Sequence, residues 1–385
     1  MVQRTKRLLS VLSLCFTWAL ISVHPIWKYL SHTKAAAATG LGLGLVALGM
    51  GWLYRRNRGK NDIGIGWLLV LFLAFTTAFA ALYPLSLRHS LNAGSDREDA
   101  LHVELTAIRQ HRDPFDARTF LHNPPTPLPG AMLLAAPFFS IGHIAWQNLL
   151  WYALFTIFTI RFFRYRATAL IFLLVFVFLA PANLSDLTDG GDYLTNFFYV
   201  AIAVGLFCRT LNRSLYVALA AGLFLGVVLS SRGIYVLILI PLLAYSLQRA
   251  SHRRALVLFS AVFVASALVT LPILAPHAVT NLLHELDQTT AGKLRFIPRA
   301  LHPRWILPLA ATIVGGSAFF VRLNLPRIFL IFSATSFVML APFVVTFALH
   351  GLWQRLSYLS VCVLPFALWA LSRYEYVSSD GNGIQ

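Results

Sequence analysis

Three clusters of ionisable residues interrupt an otherwise apolar chain, and their types decide what chemistry it can do. The first follows a long apolar run: Asp96, Arg97, Glu98, Asp99 and His102, then Asp113-Pro114-Phe115 and Asn123-Pro124-Pro125. Ser95 and Glu98 have the S-x-x-E spacing of a capping box, so a helix is expected to start at Asp96 and to end before Pro114. Asp96 and Asp99 are then three apart on one side of its first turn, with His102 continuing that side. Two carboxylates and an imidazole so placed suit general acid–base work. Acidic residues in a first turn also complement the helix dipole, and that reading stays open. The second cluster, Asp186, Asp189, Gly190, Gly191 and Asp192, puts three aspartates between two apolar runs. One suffices as a helix cap, for which Asp192 is placed. A carboxylate this near hydrocarbon needs a partner or a role. The third cluster, residues 276–304, holds Lys293, Arg295 and Arg299, and Arg232 stands alone between Ser231 and Gly233. Such cations can take a phosphate, with arginine offering a two-pronged fork, or snorkel to headgroups.

The elements carrying these residues are membrane spans. The chain has 385 residues, 58% hydrophobic and only 12% charged, about half the charged fraction of a soluble domain. Apolar stretches long enough to cross ~30 Å of hydrocarbon recur throughout. Twelve are expected, near 8–24, 35–54, 64–87, 143–162, 167–181, 192–208, 214–230, 233–247, 255–275, 305–321, 328–349 and 353–372. The stretch 128–140 is too short to cross and follows a proline cluster, which suits a re-entrant or interfacial segment. The expected architecture is an all-α polytopic bundle of about twelve spans. Residues 1–63 contribute two N-terminal spans, and 64–385 form a second unit with outer loops 88–142, 182–192 and 276–304. Leu101, Leu105 and Ile108 make one apolar stripe on the helix after Asp96, which suits an amphipathic helix lying on the bilayer.

The net charge of +17 sits in short clusters between the spans: Arg55-Arg56-Arg58, Arg161-Arg164-Arg166, Arg209-Arg213, Arg249-Arg253-Arg254 and Arg322-Arg327. That is the positive-inside pattern, and it puts both termini in the cytoplasm. The inward segments hold more than half of the 31 Lys and Arg residues but only Asp62, Glu375 and Asp380 of the 14 acids. No soluble basic patch with interleaved aromatics exists, so nucleic acid is not an expected partner. Arg4, Lys6 and Arg7 before the first apolar run suggest an uncleaved signal anchor. Cys15, Cys208 and Cys362 lie in apolar runs and are expected as small packing residues. Gly40, Gly42, Gly44, Gly49 and Gly51 in the second span are expected to let helices pack closely. No H-E-x-x-H, C-x-x-C, Walker loop or G-x-S-x-G occurs.

The first cluster, with its acidic start, amphipathic helix, Asp113-Pro114-Phe115, Asn123-Pro124-Pro125 and apolar hairpin, resembles the GT-C membrane glycosyltransferases. The resemblance is to the bacterial mannosyltransferase-like branch that uses polyprenyl-phosphate sugars. Phe115 stands where that family usually has tyrosine, and Gln110-His111 where glycine is common. The resemblance implies an inverting sugar transfer on the outer face of a bacterial inner membrane. An outer-loop carboxylate, Asp96 or else Asp99, would deprotonate a hydroxyl of a lipid or glycan acceptor, and a lipid phosphate would leave. Arg232, Lys293 and Arg295 would hold that phosphate, and Asp189 would orient the acceptor or hold a divalent cation. Asp113, Asn123 and His102 would line the substrate. Transport or flipping of lipid-linked sugars, and whole-glycan ligation, are the competing expectations.

Overall fold

The computed structural model describes residues 2–58, 62–86, 96–274, 297–298 and 302–379. They form a helical bundle without strands among the described residues. In chain order the helices are α1 (Val2–Tyr29), α2 (His32–Arg58), α3 (Gly66–Ser86), α4 (Arg97–Arg109), α5 (Pro129–Ser140), α6 (Trp146–Phe162), α7 (Arg166–Phe172) and α8 (Pro181–Thr188). There follow α9 (Tyr193–Thr210), α10 (Leu215–Leu229), α11 (Leu239–Arg249), α12 (His252–Leu274), α13 (Pro303–Gly316), α14 (Leu325–Leu349) and α15 (Ser360–Ser379). Seven of the described helices are long and apolar enough to cross a membrane, or eight if the bent α7–α8 pair is one span. This is a multi-pass membrane protein, with Leu48, Leu69, Phe263 and Leu268 among many large apolar side chains left exposed for lipid. The segments expected at 143–162, 214–230, 233–247 and 305–321 are helical but shorter than a full span.

Aromatic rings dominate the core. Phe155 stacks on Phe198 at 4.3 Å and meets Phe172 and Phe197 within 6 Å. Tyr152, Tyr199 and Tyr235 are fully buried. Of the glycines in α2, Gly42 packs under the Trp18 ring and Gly49 meets Ile171, whereas Gly40, Gly44 and Gly51 have open space beside them. The close-packing expectation therefore holds at two positions. Cys208 and Cys362 are buried and Cys15 half-buried, all three free.

Two features position the candidate site. The first is a break after α7, where the helix widens into one π turn, Leu173–Phe178, and the chain bends by 75° into α8. Pro181 opens α8, where a missing N–H costs nothing. The break exposes carbonyls, and in hydrocarbon each unsatisfied one costs several kcal/mol. Asn183 Nδ2 donates to the Phe176 carbonyl at 2.6 Å, and Trp18 Nε1 to the Leu179 carbonyl at 3.3 Å. The bend is thus sealed, and α8 and the turn after it bring Asp186, Asp189 and Asp192 to one end of the bundle.

The second is the α4–α5 pair. The stripe Leu101, Leu105 and Ile108 does not lie open to a bilayer. It packs with Met132, Ala135 and Ala136 of α5, Phe115 and Ile273. The neighbouring apolar helix α5 is a better partner than the headgroup region, because it buries Leu101 and Leu105 and half-buries Ile108. The N-terminus of α5 docks on the end of α10, with Gly130 N donating to the Ser230 carbonyl at 3.2 Å. A Cβ at Gly130 would sit 2.5 Å from Ser230 Oγ and 2.7 Å from Ser231 N, so only glycine allows this approach.

Candidate functional site

The α8–α9 bend is built from its carboxylates outward. Asp186 accepts from Leu194 N at 2.7 Å, so it caps α9. Asp192 occupies the N-cap position but makes no capping bond. Its Oδ1 is 2.6 Å from Arg232 Nη2, and its Oδ2 accepts from Asn196 Nδ2 at 3.1 Å. The capping role expected of Asp192 therefore belongs to Asp186, because Arg232 draws Asp192 sideways. Asp186 is also ion-paired with Arg97, the first residue of α4. Between these two pairs stands Tyr193. The Arg97 guanidinium carbon lies 5.4 Å from its ring centroid and that of Arg232 5.7 Å, both within cation–π reach. Its hydroxyl donates to the Tyr358 carbonyl at 2.5 Å. Arg232 Nη1 also donates to Thr126 Oγ1 at 3.2 Å, while its buried Nε has no hydrogen-bond partner among the described residues.

Asp189, at the end of α8, is half-buried, and Ser185 Oγ donates to its Oδ2 at 2.8 Å. Burial holds its carboxyl above the ordinary range, against the pull of the Ser185 bond and of the Arg97 and Lys28 charges. Glu98 is raised as well, chiefly by burial and further by the Asp99 charge, against hydrogen bonds from Tyr83 and Ala145. Tyr83 Oη donates to Glu98 Oε1 at 2.8 Å, and Ala145 N to the same oxygen at 3.3 Å. Glu98 thereby ties α4 to α3 and α6. Ser95, its expected partner in a capping box, lies outside the described residues, and the Asp96 N-cap makes no side-chain bond to the helix. The buried amide of Asn148 closes the bend from below. It donates to the Leu187 and Gly191 carbonyls at 2.9 and 3.0 Å and accepts from Thr195 Oγ1 at 2.7 Å.

Asp96 and Asp99 do share one side of α4, as their spacing predicts, and both address the 119–123 turn. Asp96 Oδ2 accepts from Thr119 Oγ1 at 2.9 Å and from Asn123 Nδ2 at 2.8 Å; Asp99 Oδ2 accepts from Phe120 N at 2.7 Å. His102 turns away, exposed and edge-on to Phe139 at 5.6 Å. Asp113 accepts from Phe115 N at 2.9 Å and caps a short 3-10 turn. Lys293 and Arg295 lie outside the described residues. Asp189 and Arg232 are thus brought to the α8–α9 bend, and Asp96, Asp99 and Asn123 to the neighbouring turn. Among the described residues no three His, Cys, Asp or Glu side chains gather closely enough to hold a metal ion.

Arg97, Glu98, Asn148 and Tyr193 are the site residues that sequence reasoning did not single out. Asn148, a lone amide in an apolar run, carried a usable signal. Arg97 and Glu98 were overshadowed by the aspartates on either side. Beside the site runs an apolar cleft of about 310 Å³ between α1, α2 and the broken helix, lined by Trp18, Leu30, Leu41, Leu45, Val175 and Pro181.

The fold and site define a multi-pass helical membrane protein with a charged, half-buried cluster at one end of its bundle. No family model, no curated protein and no solved structure matches the chain.

Proposed function

We propose that this protein is an integral-membrane glycosyltransferase of the GT-C type. It moves a sugar from a polyprenyl-phosphate-linked donor to a hydroxyl of a lipid or glycan acceptor, on the outer face of a bacterial inner membrane. In this reading the chain crosses the membrane twelve times, the shorter helices included, with both termini cytoplasmic. The observation that carries it is the placement of a half-buried carboxylate, Asp189, beside Arg97 and near the lip of an apolar cleft. Pro181 lines that cleft and opens α8, which Asp189 ends eight residues later, about 12 Å along the axis. A polyprenyl chain suits the cleft, and its phosphate then comes within reach of arginines.

The chemistry divides as follows. Asp189, whose raised proton affinity matches it to base work, takes the acceptor proton as the hydroxyl attacks the sugar carbon. The bond to the lipid phosphate breaks, and the negative charge on the leaving oxygen is met by Arg97 and by the Nε that Arg232 leaves unpartnered. Asp96 and Asp99 stay bonded to the 119–123 turn and hold the loop over the site.

The test uses purified protein in proteoliposomes, supplied with a radiolabelled polyprenyl-phosphate sugar and a membrane-lipid extract as acceptor, and reads release of polyprenyl phosphate. Asp189→Asn should lower the rate by about 100-fold or more, the share of a general base. Asp96→Asn and Asp99→Asn should lower it less and mainly weaken substrate binding. Equal rates for Asp189→Asn and wild type overturn the assignment of the base. Movement of the labelled donor across the bilayer with no transfer overturns the enzyme reading in favour of transport.

A further inference from the structure

The opposite end of the bundle carries a second charged cluster, which sugar transfer does not use. Helix α9 starts at the candidate site and ends 18 residues on, at Thr210. Five arginines from four helices and a connecting turn gather around the Leu211–Arg213 turn that follows it. Arg209 donates to the Arg161 carbonyl at the end of α6. Arg254, near the start of α12, donates through Nε to the Leu211 carbonyl at 2.6 Å and through Nη2 to the Arg213 carbonyl. Asn212 Nδ2 donates to the Arg249 carbonyl, at the end of α11, at 3.2 Å. None of these arginines has an ion-pair partner among the described residues.

The carboxylates described at that end are engaged elsewhere. Asp62 accepts from Ala167 N at 3.2 Å, and Glu375 accepts from Arg164 N and Tyr165 N at 3.2 and 3.0 Å. Both satisfy the amides that start α7. Arg249 Nη2 donates to the Leu323 carbonyl at 3.4 Å and its guanidinium lies 5.5 Å from the Tyr245 ring centroid, so among the described residues the hydrogen-bond acceptors of Arg209, Arg249 and Arg254 are backbone carbonyls alone. It also borders a lipid-facing apolar surface, in which Leu206, Leu215, Tyr216 and Leu256 are 44%, 45%, 85% and 69% exposed. Cations above and apolar side chains below form the two halves of a phospholipid site, and tyrosine is common at the headgroup level.

We propose that the Arg161, Arg209, Arg213, Arg249 and Arg254 cluster is a binding site for an anionic phospholipid. It favours a headgroup with two phosphodiesters over one with a single phosphodiester. Five weakly hydrated guanidinium groups exceed what one phosphodiester can engage, since a single phosphate takes two prongs of one fork. A headgroup with two phosphates spreads its charge across the cluster while its chains lie against Leu206, Leu215 and Leu256.

The test reconstitutes the full chain in phosphatidylcholine bilayers. It measures, by electron spin resonance, the motionally restricted fraction of spin-labelled diphosphatidylglycerol, phosphatidylglycerol and phosphatidylcholine. Wild type should restrict them in that order. Arg161 and Arg213 are exposed, and no side-chain hydrogen bond or ion pair ties either to the described residues, so R161Q/R213Q should fold. It should lower the preference for diphosphatidylglycerol by about tenfold. R55Q/R373Q, which removes two charges from the same end outside the cluster, should leave the preference in place. No preference for anionic lipid in wild type overturns the proposal, even without the variants. An equal loss in R55Q/R373Q overturns it too, because the effect is then bulk surface charge.

Discussion

The surroundings of Glu98 fix the sign of its effect on stability as pH changes. Burial raises its proton affinity above that of an exposed glutamate. A carboxyl whose native pKa lies above its unfolded value binds protons more readily in the native state. Stability is then greatest below the ordinary glutamate range and is lost as pH rises through the raised value. The thermal unfolding midpoint in detergent, followed from about pH 4 to about pH 8, should fall across that window. Glu98→Gln keeps an acceptor for Tyr83 and should flatten the profile while raising the midpoint at neutral pH. The Asp192–Arg232 pair matters through its burial. With Asp192 1% exposed and Arg232 16%, loss of one partner strands the other. Arg232→Ala should destabilise by about 3 kcal/mol, and R232Q combined with D192N should recover part of that. A double-mutant cycle in denaturant checks both.

At the scale of elements, the α8–α9 bend depends on backbone that only glycine adopts easily. Gly190 has φ +76°, and a Cβ there would lie 2.5 Å from Glu98 Oε2 and 3.1 Å from the Ala145 Cβ. Gly190→Ala should therefore destabilise by about 1–3 kcal/mol and loosen the Glu98 contact. Faster proteolysis within the 186–193 segment would report the loosening. The 119–123 turn carries the reverse signature. His122 is exposed with φ +59°, a left-handed conformation that costs an ordinary side chain about 1–2 kcal/mol. It persists because Asp96 grips both Thr119 and Asn123. Asp96 thus acts first on the shape of the loop, a function that its spacing from Asp99 does not reveal.

For the whole molecule, the contacts assign ends. Ser360, at the start of α15, donates to Asn183 at the site end, and Glu375, near its finish, meets the start of α7 at the arginine end. The site and the basic clusters therefore occupy opposite ends of the bundle, as the separation of acids from bases along the sequence suggests. A membrane-impermeant maleimide should label a cysteine at His122 in intact cells. It should label one at Arg55 or Arg373 only after permeabilisation. Labelling of all three from one side would refute the proposed orientation.

The bundle was legible because hydropathy acts locally. A run of some 20 apolar residues signals a span whatever lies beside it, and clustered arginines mark the ends. The segments 143–162 and 214–230 are helical at their expected places, though short. The candidate site was legible only in outline. Asp189, Arg232 and the Asp96–Asp99 pair could be picked out as unusual residues near hydrocarbon.

Their partners could not. The crossing of Arg97 to Asp186, the Trp18 bond to the Leu179 carbonyl at the bend and the packing of the α4 stripe against α5 join residues far apart in sequence. The chain by itself determined that the protein is helical, lies in a membrane and gathers its arginine clusters between apolar runs, because solvent preference is a property of each segment alone. Which carboxylate holds a loop, which caps a helix and which stands half-buried beside an arginine was decided by the tertiary structure. Proton affinity and pairing depend on what packs against a group, and in a bundle that neighbour comes from another helix.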